Sequence, residues 1–63
     1  MKGKIKFYNR MKGFGFIIGD DGTEYFVHES GLNDGVSIHE NDKVTFNVEQ
    51  GDRGPKAVKV AKL

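Results

Sequence analysis

Apolar and polar residues alternate with a period of two through five short stretches of the chain. Lys4-Ile5-Lys6-Phe7 alternates within a run from Lys2 to Asn9, Phe14 to Gly19 forms a second run, and Thr23 to His28 a third. Val44-Thr45-Phe46-Asn47-Val48 alternates cleanly, and Ala57-Val58-Lys59-Val60 does so after Gly54-Pro55. Successive side chains of a strand point to opposite faces, so this period predicts five strands. No long window carries apolar residues at the i, i+3, i+4, i+7 spacing of a helix, and nine glycines are scattered along the chain. Gly51-Asp52-Arg53-Gly54 reads as a turn. The polar, glycine-broken span from Glu29 to Asp42 reads as a long connection, with a short helical turn at Ser30 to Leu32.

Five short strands in 63 residues predict an all-β fold, a small antiparallel barrel with no substantial helix. Closure into a barrel hides the strand edges that would otherwise pair with other chains. The inward set predicted by alternation is Ile5, Ile17, Val27, Val44, Phe46, Val48, Val58 and Val60. This set nearly fills a barrel of that size and leaves Phe14, Phe16 and Phe26 without a place inside. The competing reading makes the rings the core and exposes the aliphatic face. A small barrel prefers branched aliphatics inside, which places the rings outside.

The turn between the second and third runs decides whether those rings meet. A two-residue Asp21-Gly22 turn would set Phe16 across from Val27 and mix rings with aliphatics on each face. A three-residue loop, Asp20-Asp21-Gly22, pairs Gly19 with Thr23, Ile17 with Tyr25, Phe16 with Phe26 and Phe14 with His28. Such loops favour a glycine in the left-handed conformation at their last position, where Gly22 stands. This register sorts both faces at once and gathers Phe14, Phe16, Phe26 and His28 into one cluster, flanked by Lys12. Exposed rings beside lysines form a stacking platform for unpaired bases. A bare aromatic patch otherwise invites aggregation, so its presence points to a binding role.

Length and composition narrow the setting. The chain is expected to be one domain, residues 1–63, with a core worth only a few kcal/mol of net stability. It has no cysteine and no apolar stretch long enough for a signal peptide or a membrane span, so a cytoplasmic protein with no membrane partner is expected. Net charge is only +1, but its distribution is uneven. Residues 1–18 carry Lys2, Lys4, Lys6, Arg10 and Lys12 and no acid, and residues 53–63 carry Arg53, Lys56, Lys59 and Lys62 and no acid. The span 19–52 holds nine acids against Lys43. Terminal strands lying together would give the fold one basic side.

The motifs themselves resemble the cold-shock domain family. Lys12-Gly13-Phe14-Gly15-Phe16-Ile17 resembles its first ribonucleoprotein motif, and Phe26-Val27-His28 its second. Gly3 to Asn9 is similar to the family's opening strand, and Gly51-Asp52-Arg53-Gly54-Pro55 to the turn before its last strand. The resemblance implies a five-stranded Greek-key barrel of the oligonucleotide/oligosaccharide-binding type (OB-fold). It also implies binding of single-stranded RNA and DNA with modest sequence preference. The implied cellular roles are RNA chaperone, or regulator of transcription and translation, in cold or stress adaptation. By matched position, Lys6, Phe7, Lys12, Phe14, Phe16, Phe26, His28 and Arg53 are the expected contacts. Phe14, Phe16 and Phe26 would stack on bases, and Lys12 and Arg53 would meet phosphates or base edges.

The chain departs from the family pattern in places. Bacterial members usually carry tryptophan where Phe7 stands and often phenylalanine where Glu29 stands, and Val36 takes the place of a loop aromatic. These changes predict weaker binding than a full aromatic set gives. Strict alternation also puts Phe7 inside with Ile5, so an outward Phe7 needs a bulge or strong twist near Phe7-Tyr8.

Other classes fit the residues poorly. No nucleophile–base pair, paired catalytic carboxylates or phosphate-binding glycine loop is present, so no enzyme, small-molecule substrate or cofactor is expected. His28, His39 and Glu29 lack the spacing of metal ligands, so no metal site is expected. A barrel that binds extended peptides is the main alternative of another class, but such grooves need no flanking lysines. A closed barrel needs no second copy, so a monomer is expected.

Overall fold

The alternation that turns Ile5 inward and Lys4 outward builds strand β1 (Lys2–Asn9), and the same period builds β2 (Phe14–Gly19) and β3 (Glu24–His28). A single 3₁₀ turn, η1 (Glu29–Gly31), follows, and β4 (Lys43–Gly51) and β5 (Gly54–Lys62) complete the chain. This computed structural model describes residues 1–52 and 54–63, so the expected contact Arg53 lies outside the described residues. The strands close into a barrel in the order β1-β2-β3-β5-β4. Neighbours run antiparallel except β3 and β5, which meet in a short parallel pair, Phe26 with Lys56 and Val27 with Ala57. The fold is the expected five-stranded barrel, and its helical content among the described residues is that one 3₁₀ turn.

The β2–β3 hairpin has the three-residue-loop register. Phe14 pairs with His28, Phe16 with Phe26, and Ile17 with Tyr25. The Gly19 amide donates to the Thr23 carbonyl at 2.8 Å, the Gly22 amide donates to the Gly19 carbonyl at 2.9 Å, and Gly22 has φ of +82°. A left-handed backbone costs a side-chain-bearing residue roughly 1–2 kcal/mol, which is why glycine occupies this corner.

The core holds Ile5, Ile17, Val27, Val44, Phe46 and Val60, as alternation predicts, together with Tyr25, Ile38 and Ala57. Two expected core residues, Val48 and Val58, are not in it. Between Thr45 and Asn47 the β4–β5 register slips by one residue, so Lys59 and Val60 both stand against Phe46. Lys59 takes up the extra residue with a left-handed φ of 53°. This bulge reverses the parity of β5: Ala57 and Val60 turn inward, and Val58 turns out to a half-buried position. Val48 keeps the inward parity and pairs with Ala57, but it is 44 % exposed. Strand β1 pairs with β4 over Lys43 to Thr45 and Met1 reaches Phe46, so among the described residues no strand pairs with the other side of β4 at Val48. Ile38 comes from the long connection, where no periodicity marked it as a core residue.

A second bulge lies in β1. Ile5 pairs with Ile17 but Phe7 pairs with Phe16, which leaves Lys6 as the extra residue. The bulge that an outward Phe7 requires near Phe7-Tyr8 is therefore present, with Lys6, next to Phe7, as its extra residue. On the far side of β1, Ile5 exchanges both backbone hydrogen bonds with the long connection, its amide donating to Asp42 and its carbonyl accepting from Asn41, each at 2.8 Å.

The bulge also brings β1 very close to Gly15. A Cβ at Gly15 would stand 2.2 Å from the Phe7 carbonyl oxygen and 2.7 Å from the Tyr8 Cα, both backbone atoms that cannot rotate away. Gly15→Ala is therefore expected to destabilise the fold by about 1–3 kcal/mol, the usual cost of overpacking, read as a lower urea midpoint. A midpoint equal to that of the wild type would refute this packing of β1 on β2.

Candidate nucleic-acid interface

The outward positions of β2 are Phe14, Phe16 and Ile18, because Gly15, Ile17 and Gly19 turn inward. Hairpin pairing adds Phe26 and His28 from β3, and the Lys6 bulge adds Phe7 from β1. The four phenylalanines form a connected surface. Ring centroids are 5.6 Å apart for Phe7–Phe16, 5.9 Å for Phe16–Phe26 and 5.9 Å for Phe14–Phe26. The Phe16–Phe26 contact is edge-to-face and Phe14–Phe26 is stacked. Each such contact contributes about 0.5–1.5 kcal/mol beyond burial, so the rings hold one another in place before any ligand arrives. Phe14, Phe16 and Phe26 are half-buried and Phe7 is 38 % exposed, while Tyr25 and Phe46 pack together inside the barrel at 5.3 Å. The chain thus keeps two aromatic groups on opposite faces of one sheet.

The polar residues around the rings are partly engaged. Lys6 is exposed and its Nζ lies 3.2 Å from Glu24 Oε1. Lys12 is exposed and in none of the ion pairs among the described residues. Its position is set by the β1–β2 turn, where its amide donates to Asn9 Oδ1 at 3.0 Å. His28 caps the 3₁₀ turn: the Ser30 amide donates to its Nδ1 at 3.1 Å, and the Ser30 hydroxyl lies 2.9 Å away. That amide needs a lone pair on Nδ1, so the neutral ring carries its proton on Nε2, which is left as a donor.

Pairing with β5 places one residue that alternation could not nominate. Lys56 lies directly across from Phe26 in the parallel pair. It lines a groove of about 260 Å³ with Phe26, His28 and Ser30 on one side and Gly51, Asp52 and Gly54 on the other. Its Nζ is 3.7 Å from Glu49 Oε1. The family departures also have definite places. Glu29 folds against Gly13, where an added Cβ would come within 2.9 Å of its Oε2. Val36 is partly buried against the core, as are Tyr8 and Leu32, and its isopropyl group offers no aromatic face in place of a ring. Burial and the nearby Glu29 carboxylate push the Tyr8 hydroxyl pKa up. Among the described residues no group of histidines and carboxylates is arranged to hold a metal ion.

A closed five-stranded barrel in the order β1-β2-β3-β5-β4 has the architecture of an OB-fold. The comparisons with known proteins agree with that class. The model of the 'Cold-shock' DNA-binding domain matches residues 1–63. The chain is 53 % identical over 60 residues to cold shock protein 2 of Lactiplantibacillus plantarum, covering 92 % of this chain and 91 % of that protein. It is 47 % identical over 66 residues to the cold shock-like protein CspG of Escherichia coli K12, covering 100 % and 94 %. It is 44 % identical over 64 residues to the major cold shock protein of Streptococcus pyogenes, covering 98 % and 96 %. The chain belongs to the cold-shock domain family and is a nucleic-acid-binding domain. No helix among the described residues is long and apolar enough to cross a membrane.

The hairpin that aligns the rings is latched at its turn. The Tyr25 hydroxyl donates to Asp21 Oδ2 at 2.7 Å and the Thr23 amide donates to Asp21 Oδ1 at 3.0 Å. These bonds, Tyr25 first and Thr23 second, hold the Asp21 carboxyl below the usual carboxylate range. Asp42 is also lowered, first by the His39 amide and then by Lys62. A depressed carboxyl stabilises the fold above its unfolded pKa of about 4, and that contribution is lost as pH falls through the folded value. The unfolding midpoint should therefore fall on acidification from about pH 5 to about pH 2, and Asp21→Asn should flatten that fall. An equally steep fall in the variant would remove Asp21 from the latch.

Proposed function

We propose that the 63 residues act as one monomeric unit that binds single-stranded RNA and DNA by stacking unpaired bases on Phe7, Phe14, Phe16 and Phe26. The observation that carries this reading is the connected chain of half-exposed rings on the outside of a barrel whose core is already filled. Every base has a π face, so a ring surface binds with little sequence choice. His28 Nε2 adds a donor at one end of the surface, and Lys12 adds a cation at the edge of β2. Lys6 and Lys56 are held by Glu24 and Glu49 and can exchange a carboxylate for a phosphate. Arg53 enters on the family match alone. The domain carries out no reaction of its own. Only unpaired bases fit the rings, so binding melts weak RNA hairpins by mass action. That property suits an RNA chaperone, or a regulator of transcription or translation acting in cold or stress. The relatives named as cold shock proteins support the same role.

The decisive experiment is titration of the protein with hexathymidine, followed by backbone NMR shifts. Perturbation should centre on Phe14, Phe16, Phe26 and His28, and shifts confined elsewhere would overturn the site. Phe16→Ala and Phe26→Ala should each weaken binding by about 1–3 kcal/mol, or roughly five- to 150-fold. The slope of log affinity against log salt should correspond to one or two phosphates, at about −0.7 each. A steeper slope with a silent Phe16→Ala would make electrostatics the dominant force.

A further inference from the structure

Lys2 and Lys4 lie on β1 and Lys43 on β4, all exposed, with buried Gly3, Ile5 and Val44 turned the other way beside them. Lys4 stands directly across from Lys43, and Lys2 faces Thr45 on the same outer surface. Like charges directly opposite in an antiparallel pair destabilise it. Carboxylates do not relieve this one: the ion pairs among the described residues are Lys6–Glu24, His39–Asp42, Lys56–Glu49 and Lys62–Asp42. Nine acids lie between residues 19 and 52, yet none pairs with these three lysines. Glu24 shares their row across Ile18 and is held by Lys6, while Asp42, next to Lys43 in sequence, is held by Lys62.

The lysines also continue the ring surface. The outward face of β2 runs Phe14, Phe16, Ile18, and Ile18 pairs with Lys4. The row Ile18–Lys4–Lys43 therefore begins two residues past Phe16, roughly 7 Å along the strand, and extends across β1 to β4. We propose that Lys2, Lys4 and Lys43 form a phosphate track, on which a single strand stacked on the rings continues past Phe16 and Phe7. Unstacked phosphates need only cations, and this stretch offers cations with no exposed ring. The occupant is the same strand rather than a second one, because the row is contiguous with the rings. The proposal rests on the function proposed above.

The test compares hexathymidine with dodecathymidine on the wild type and on the variant K2Q/K4Q/K43Q, over a range of salt. Hexamer affinity should be the same for both proteins. The variant should bind the dodecamer about tenfold more weakly at low salt, and its salt slope on the dodecamer should be smaller by about 2, the value for three phosphates. Equal losses on both lengths, or no loss on either, would overturn the track while leaving the ring site intact. A wild type that fails to bind the hexamer would remove both readings. Lys4→Glu gives an independent check. A carboxylate at that position would pair with Lys43, so the substitution should raise the unfolding temperature while weakening dodecamer binding alone. A lower unfolding temperature, or unchanged dodecamer binding, would count against the track.

Discussion

The one-residue bulge at Lys6 is the constraint on which the ring surface depends. With a strict period of two, Phe7 would follow Ile5 into the core, and the outer face of β1 would bring a lysine to the rings instead. The extra residue at Lys6 lets Ile5 pair inward with Ile17 while Phe7 pairs outward with Phe16. The bulge is held from both sides. Gly15 lets the β1 backbone approach closer than any Cβ would permit, and the long connection takes both hydrogen bonds of Ile5 through Asn41 and Asp42. Two features far apart in the chain, a glycine inside the first motif and a polar loop before β4, thus fix the same side chain.

The bulge at Lys59 plays the corresponding part on the other side of the barrel. It lets Ala57 and Val60 both face the core, and β5 meets β3 in a short parallel pair at Lys56 and Ala57. That pair sets Lys56 beside Phe26 and forms one wall of the groove between β3 and the β4–β5 turn. Beyond the bulge, β4 and β5 run on as a ribbon, which explains an exposed valine at an inward position. Small barrels need such irregularities to close, and here each one re-aims a side chain that matters to the surface.

Legibility in the sequence follows the range of the interaction. The β2–β3 register is readable because a local turn sets it: Gly22 at the last loop position decides it, and Phe14, Phe16, Phe26 and His28 fall together as a result. Phe7 is readable only through family resemblance, since the Lys6 bulge depends on Gly15 and Asn41, both distant in sequence. Alternation misplaces Val58 and Val48 because a left-handed lysine in β5 has no local signature and because a strand's neighbours are not written in its own pattern. Ile38 is invisible inside an aperiodic loop. Lys56 escapes notice as a neighbour of the rings because the β3–β5 pairing joins strands that no hairpin connects.

The charge arrangement explains why rings, rather than lysines, should dominate on the platform itself. Lys6 and Lys56 flank the rings but are already paired with Glu24 and Glu49 at exposed sites. An exposed ion pair is worth only about 0–1 kcal/mol, so either lysine can leave its carboxylate for a phosphate easily. The carboxylate it leaves then stands next to the strand, and much of the electrostatic gain is cancelled. A stacked ring has no such competitor, because the free protein offers it only neighbouring rings and water. A cation contributes its full attraction only where no acid has claimed it, which among the described residues of this surface means Lys12 beside the rings and the three lysines beyond Ile18. The rings thus lie on β1–β3 with Lys12 at their edge, and the three unpaired lysines lie on β1–β4, with β1 shared between the two groups.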